Sequence, residues 1–194
     1  IQYDGTASAL AERGAAEGWD VIDMLRDQAQ LACAEGLLLE IDPVALLGRA
    51  ALADFAPVAP SRCAVPQNIH ARVLAYDERA FRGVKPTRIE DFFDLEQFPG
   101  KRAVQKSPDG ILEWAMLAEG VPPEQVYGLL STDRGLRLAF RKLDSIRDEI
   151  VWWENPAAPA EMLVDGRAAM ASGFNGRFFD AMETGGAAID IVWD

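Results

Sequence analysis

Residues that could do catalytic chemistry are scarce in this chain. His70 is the only histidine, so a Ser-His-Asp or Cys-His scheme would have to run through it, and no Gly-x-Ser-x-Gly turn accompanies it. Neither a Gly-x-x-x-x-Gly-Lys-Ser/Thr loop nor a Gly-x-Gly-x-x-Gly turn occurs. Cys33 and Cys63 with one histidine make no zinc set. The sequence therefore predicts no enzyme, no metal site and no cofactor.

Residues suited to holding a ligand follow a predicted strand near the end of the chain. Phe174, Asn175 and Arg177 combine an aromatic face, an amide and a cation, which are the groups that small-solute sites use. Each has an alternative role. Phe174 could pack in the core, Asn175 could bond to local backbone, and Arg177 could pair with a surface acid.

A second candidate set has the order of a helix N-terminus. Ser107 would supply a hydroxyl cap, Pro108 would take the first helical position, and Asp109 would place an acid in the first turn. A helix that follows a parallel strand begins at the crevice of an open α/β sheet, so Ser107 and Asp109 are predicted ligand contacts. The alternative for Asp109 is interaction with the helix dipole alone.

Short apolar segments alternate with amphipathic ones, which is the pattern of an α/β protein. Trp114 is predicted to lie in the core, and prolines between 52 and 66 predict an extended connector. Predicted strands cover residues 1–3, 19–22, 71–76, 101–105, 151–153, 168–172 and 189–193. Predicted helices cover residues 7–16 and 26–34, begin at residues 42–43 and 107–109, and cover the apolar stripe 136–146 and residues 159–164.

Charge and hydropathy exclude two classes of partner. The chain has 31 acidic and 19 basic residues, a formal charge of -12, so nucleic acid and anionic membranes are disfavoured. A cationic ligand would be favoured, although the charge could equally serve solubility. No run reaches the roughly 18 apolar residues of a membrane span, so no direct membrane insertion is predicted.

Three stretches together resemble the extracellular solute-binding proteins of bacterial ABC importers, in particular the spermidine/putrescine-binding branch. They are residues 88–114, 151–154 and 173–177. The resemblance implies a fold like that of type II periplasmic binding proteins, with two α/β lobes and a ligand cleft between them. Residues 1–70 would form part of the first lobe and residues 71–194 most of the second, with a crossing segment near 68–72. The chain would be part of a longer, periplasmic protein whose signal peptide is absent from this sequence.

The resemblance also implies a function. The protein would capture a small polar or cationic solute, polyamine-like, and deliver it to an ABC permease in the membrane. Alternatives are an enzyme on a related open α/β sheet and a sensor or scaffold with a degenerate site. The positions that hold acids in polyamine binders are Pro108 and Ile111 here.

Further site residues follow from the same resemblance. Asn68 and His70 lie on the expected crossing segment, and Asp27 is expected in a cleft loop of the first lobe. Trp153 is expected near the cleft rim because the predicted turn 154–156 follows it; the alternative is the sheet core, since Trp152 and Trp153 alternate. For Asp27 the alternative is to cap the next helix, and for His70 it is a structural role. The resemblance finally implies a disulfide between the two cysteines, with two free buried thiols as the alternative.

Overall fold

The computed structural model describes residues 5–55 and 58–194, which divide into two compact units, Ile1–Ile69 and His70–Asp194. The strand predicted over residues 1–3 lies outside the described residues, as do residues 56 and 57 of the predicted connector. No helix of the described ranges is long and apolar enough to cross a membrane.

The described part of the first unit is built from helices and turns. The helix predicted over 26–34 is confirmed, and Gly36 follows it with a left-handed φ of 72°. Asp42 Oδ1 accepts hydrogen bonds from the amides of Val44 and Ala45, as a helix cap does. The helices are α1 Ala7–Ala9, which continues through a π-helical turn Leu10–Gly14 into α2 Ala15–Glu17, then α3 Arg26–Ala34, α4 Pro43–Leu47 and α5 Arg49–Leu52, with a 3-10 turn Ala53–Phe55.

One strand prediction in this unit is wrong. Residues 19–22 form no strand, and the side chain of Val21 is 91% exposed. A short apolar run gives no strand here because no neighbouring strand in the described part of this unit pairs with it. Cys33 and Cys63 form a disulfide with their Cα atoms 5.9 Å apart. Because it closes a loop of 30 residues around a small core, it should stabilise the unit by about 3 to 4 kcal/mol.

The second unit carries a mixed sheet in the order β3-β2-β4-β1-β5. Strand β2 runs parallel to β3 and β4, whereas β1 runs antiparallel to β4 and β5. The carboxyl ends of β2, β3 and β4 therefore meet the amino end of β1 at one edge of the sheet, called the ligand edge below. The strands are β1 Arg72–Asp77, β2 Arg102–Gln105, β3 Ile150–Trp153, β4 Met170–Phe174 and β5 Ile189–Val192.

Helices cover both faces of this sheet, so the α/β fold class is confirmed. One face packs on a core that contains Phe92, Trp114 and Ile146, and the other on a core that contains Leu163 and Phe178. Trp114 lies in the core as predicted. The helices are α6 Ile111–Leu117, α7 Val126–Leu130, α8 Asp133–Asp144, α9 Ala158–Val164 and α10 Asn175–Gly185, with 3-10 turns Ile89–Phe93, Pro123–Gln125 and Arg147–Glu149.

The prediction that one apolar face of the helix over residues 136–146 packs on the core is confirmed only in part. Ala139 is buried and Leu143 packs against the first core, but Phe140 is 56% exposed and Leu138 packs inward instead. Gly135 is buried on the same side of α8, where a Cβ would collide with the carbonyl of Leu129. The inward face of α8 therefore carries Gly135, Leu138 and Ala139.

The sheet edge opposite the ligand edge is held by a buried arginine. Arg102 is fully buried, and its Nε donates to the carbonyl of Phe92 and its Nη1 to the carbonyl of Gly100, both at 2.7 Å. Its Nη2 donates to the carbonyls of Asp94 and Phe98. Burial lowers the pKa of Arg102 to about 10, so the guanidinium remains charged at neutral pH. Four carbonyls of the segment before β2 are thereby fixed by one side chain.

Candidate functional site

The ligand edge of the second unit brings three polar or aromatic side chains together. Arg72 begins β1, Gln105 ends β2 and Phe174 ends β4. Arg72 Nη2 donates to Gln105 Oε1 at 2.6 Å, and its guanidinium carbon lies 5.1 Å from the centre of the Phe174 ring. In open α/β sheets, ligands bind outside the carboxyl ends of the strands, so this is the position where a solute is expected.

The backbone on both sides holds Arg72 in place. The backbone N–H of Asn175 donates to the carbonyl of Ala71 at 3.0 Å, and the side-chain Oδ1 of Asn175 accepts from the backbone N–H of Ala71 at 2.9 Å. Gly110 lies against the stem of Arg72, where a Cβ would collide with Cδ, and its φ of 78° also favours glycine. The arginine is thus positioned by a pair of hydrogen bonds and by a close backbone approach.

Two charged side chains near the ligand edge have buried atoms without partners. Arg72 Nη1 and Glu113 Oε2 are buried and have no hydrogen-bond partner among residues 5–55 and 58–194, and the same holds for Trp153 Nε1 in the second core. Leaving such an atom unpaired costs about 1 to 3 kcal/mol, more when it is charged, so an unpaired atom calls for a ligand or water. Burial lowers the pKa of Arg72, while the nearby carboxylates of Asp109 and Glu113 act in the opposite direction.

A cavity of about 220 Å³ adjoins Arg72 at this edge. Ile89, Trp114 and Trp193 give its walls an apolar part, and Asp194 adds a carboxylate to the guanidinium of Arg72. The amide of Ile89 donates to Asp194 Oδ2 at 2.8 Å and closes one side. A small solute with an apolar body and a charged end would suit these walls.

The predicted site residues near this edge take different roles. Phe174 stacks with Arg72, and His70, exposed, meets the Phe174 ring edge-on at 4.9 Å and 86°. The side-chain Oδ1 of Asn175 accepts from the backbone amide of Ala71, which is distant in the sequence, so neither the predicted ligand contact nor the alternative of a bond to local backbone describes it.

The predicted helix start at Ser107 is wrong. Helix α6 begins at Ile111, and its N-cap Gly110 has the positive φ that separates the helix from the preceding turn. Ser107 Oγ donates to Asp109 Oδ2 at 2.9 Å and accepts from the Asp109 amide at 3.2 Å. The serine therefore closes a local turn and does not cap the helix.

Two other predicted residues of the second unit do not join Arg72. Arg177 is exposed and lines a groove between α9 and α10 together with Glu161 and Asp180. Trp153 is only 2% exposed and packs in the second core, while its neighbour Trp152 is 54% exposed. The expected rim position of Trp153 is therefore wrong, because strand alternation turns this tryptophan toward α9 and α10.

The remaining two predicted residues lie in the first unit. Asp27 is exposed in the first turn of α3, where its Oδ2 accepts from Gln28 Nε2 at 3.1 Å. The N-cap of α3 is Leu25, so the capping alternative for Asp27 is wrong. Asn68 is exposed next to the boundary between the units.

Sequence reasoning missed Arg72, Gln105 and Glu113. A signal for Arg72 existed, because alternation places it on the same face of β1 as buried Leu74, and an inward charge at the start of a strand is unusual. Gln105 carried a weaker signal, because it is an uncharged polar residue at the end of the otherwise buried strand β2. Glu113 carried none, since an acid between apolar residues of a helix normally marks its solvent face.

Comparison with known families identifies the chain. A family model described as "Bacterial extracellular solute-binding protein" matches residues 2–194, and the chain belongs to this family. A gamma-aminobutyric acid-binding protein of Pseudomonas aeruginosa is 37% identical over 175 residues, which are 90% of this chain and 48% of that protein. The family is one of solute-binding proteins, not of enzymes.

Solved structures agree on the fold. An ABC transporter substrate-binding protein from Bradyrhizobium japonicum is 29% identical with a TM-score of 0.74, covering 95% of this chain and 55% of that one. The binding protein MotA of A. tumefaciens, solved with glucopine, is 29% identical with a TM-score of 0.77, covering 98% of this chain and 58% of that one. The chain thus spans about half the length of the relatives it matches.

Proposed function

We propose that this chain is part of the substrate-binding component of an ABC importer and that the solute binds at the ligand edge, on Arg72 and Phe174. One observation carries the proposal: Arg72, partly buried beside the carboxyl ends of parallel strands, keeps its buried Nη1 without a partner in the described residues. Membership of the solute-binding family supports it. The protein would be periplasmic, and its partners would be a small solute and a membrane permease.

The site favours a solute with a carboxylate over the polyamine that the sequence resemblance suggested. A guanidinium presents only donors, so its free Nη1 suits a carboxylate oxygen, and it would repel a polyamine ammonium. The binding of gamma-aminobutyric acid that names the Pseudomonas relative is consistent with this class of solute. A polyamine is kept as the alternative because Asp109 and Glu113 lie close enough to Arg72 to affect its pKa.

In the proposed mechanism no bond is made or broken. Residues 1–70 would belong to one lobe and residues 71–194 to the other, and the solute would stabilise a closed arrangement that the permease recognises. The compactness of each of the two units supports this division. A sensor or scaffold with a degenerate site is the rival function.

Calorimetric titration of the full-length protein tests the proposal. We expect 4-aminobutyrate or glucopine to bind, Arg72→Gln to weaken that binding by about a hundredfold, and the matched control Arg177→Gln to leave it unchanged. Putrescine that binds equally well to wild type and to Arg72→Gln would instead establish the polyamine alternative. A protein that binds none of the solutes tested would fit the sensor or scaffold.

A further inference from the structure

Glu113 stands out in the second unit because the proposed function has not used it. It lies in the first turn of α6, and its Oε2 is buried without a hydrogen-bond partner in the part of the chain that the structure describes. Within the same ranges, no ion pair joins it to Arg72. The side chain of Arg72 packs against Gly110, three residues before Glu113, and the charge of Glu113 acts on the pKa of Arg72. Two opposite charges in this neighbourhood thus each keep one buried atom unpaired.

The chemistry of the two unpaired atoms differs. A carboxylate oxygen only accepts hydrogen bonds, and a guanidinium nitrogen only donates them. A solute with one charge would satisfy one of the two and leave the other buried and unpaired. A solute that carries both a carboxylate and an ammonium would satisfy both, so the pair is complementary to a zwitterion.

Two other acids near Arg72 are less suited to this role. Asp194 lines the cavity beside Arg72, but it is exposed and its Oδ2 already accepts a hydrogen bond from the amide of Ile89. Asp109 is exposed, and its Oδ2 already accepts a hydrogen bond from Ser107. Exposed charges are screened by water and interact weakly with a ligand. Glu113 also has a possible structural role, since its charge is the main factor that raises the pKa of the 71% exposed Tyr127. The test must separate that role from ligand binding.

We propose that Glu113 accepts the ammonium group of the solute while Arg72 holds its carboxylate, so that the site selects zwitterions by requiring both charges. This assignment rests on the proposed function. It makes Glu113 a specificity-determining residue, and it names amino acids with separated charges as the class of ligand.

The test compares probes that have nearly the same shape. In 4-aminobutyrate an ammonium replaces the terminal methyl of pentanoate, so the ratio of the two dissociation constants reports what the ammonium contributes. In the full-length wild-type protein we expect 4-aminobutyrate to bind about ten- to a hundredfold more tightly than pentanoate. In Glu113→Gln this preference should fall to a few-fold, while pentanoate binds as well as before or better.

Two control variants make the result specific. Asp109→Asn removes the neighbouring charge and should leave the preference for 4-aminobutyrate over pentanoate intact. Tyr127→Phe removes the hydroxyl that interacts with Glu113 and should also leave this preference intact. An equal loss of preference in Asp109→Asn would mean that general electrostatics set it, and a loss in Tyr127→Phe would mean that Glu113 acts through Tyr127. Either result overturns the proposal.

The same titrations distinguish this proposal from the proposed function. If Arg72→Gln abolishes binding of both probes but Glu113→Gln keeps the preference for 4-aminobutyrate, the assignment of Glu113 is wrong and the proposed site stands. If the wild-type protein binds pentanoate as tightly as 4-aminobutyrate, the requirement for a zwitterion is wrong. If it binds neither of these probes, nor glucopine, nor putrescine, both proposals fail together.

Discussion

Two arginines lie at opposite edges of the same sheet, and their surroundings differ. Arg102 begins β2 and gives hydrogen bonds to four backbone carbonyls from all three of its nitrogens. Arg72 begins β1 and bonds to Gln105 through Nη2, while its buried Nη1 has no partner among the described residues. Burial lowers the pKa of both. Arg102 is fully buried and Arg72 partly buried, and the completeness of their hydrogen bonding separates them further.

This difference indicates which arginine serves folding and which serves binding. A buried cation whose donors are satisfied has its loss of hydration offset within the protein. For a buried cation with a free donor, part of the free-energy cost of lost hydration is not offset within the protein. A ligand that pairs with the donor offsets that cost and therefore binds more tightly. Folding stability and solute affinity should thus respond to different arginines.

The largest effect is expected at Arg102. We expect Arg102→Met to lower the free energy of unfolding by about 3 to 5 kcal/mol, because several buried carbonyls lose their donor at once. Urea unfolding followed by circular dichroism measures this change, with Arg72→Met as the matched control. If the two variants lose equal stability, the distinction between the two edges is wrong.

Arg72 should show the opposite behaviour. We expect Arg72→Met to weaken binding of 4-aminobutyrate by about a hundredfold, or roughly 2.7 kcal/mol, because the solute carboxylate loses a charged donor. Its free energy of unfolding should change by less than about 1 kcal/mol, since the guanidinium is only partly satisfied in the folded protein. Calorimetric titration and urea unfolding of one sample give both quantities. Unchanged affinity would place the solute elsewhere.

Gly110 tests whether the position of Arg72 matters as much as its charge. A Cβ at residue 110 would collide with Arg72 Cδ, and the φ of 78° disfavours any other residue. We expect Gly110→Ala to cost about 1 to 2 kcal/mol of stability and to weaken solute binding, although every charge of the site is kept. Gly120→Ala is the control, because its φ of 77° is similar but nothing lies near its Cβ. Equal affinity in the two variants would show that contact with Arg72 is unimportant.

The smallest effect is expected at Asn175. Its side-chain Oδ1 satisfies the backbone amide of Ala71, so Asn175→Ala should cost about 1 kcal/mol of stability. Solute affinity should fall a few-fold, since Arg72 would be held less firmly. Amide hydrogen exchange at Ala71 provides the direct readout, and faster exchange is expected. Protection equal to that of the wild type would mean that another group holds this amide.

Local sequence signals predicted much of the fold. Asp42 and Gly36 marked helix boundaries through capping chemistry, and the strands of the second unit were recognised as short apolar runs between turns. The same reasoning failed at residues 19–22, which lack a pairing strand in the described part of the first unit, and at Phe140, because the inward face of α8 carries Gly135, Leu138 and Ala139 instead. These determinants are tertiary and leave little trace in a single sequence.

The candidate site was harder to predict for a related reason. Phe174 was identified because it follows a predicted strand in a segment, residues 173–177, that resembles the solute-binding family. Arg72 and Glu113 matter because of atoms that folding leaves unpaired. An unpaired atom is defined by its whole surroundings. Asp109 and Arg177 have the right chemistry in the sequence, yet the first is exposed and the second faces a different groove.

The reversed direction of β1 has a mechanical consequence. Because β1 runs against its neighbours, its first residue, Arg72, lies at the ligand edge, and it comes only two residues after His70, where the second unit begins. A force along the incoming chain would meet the hydrogen bonds between Ala71 and Asn175 immediately before the residue that carries the guanidinium. Strain at the junction should therefore be transmitted to the solute with almost no slack, and a bound solute should in turn stiffen the junction.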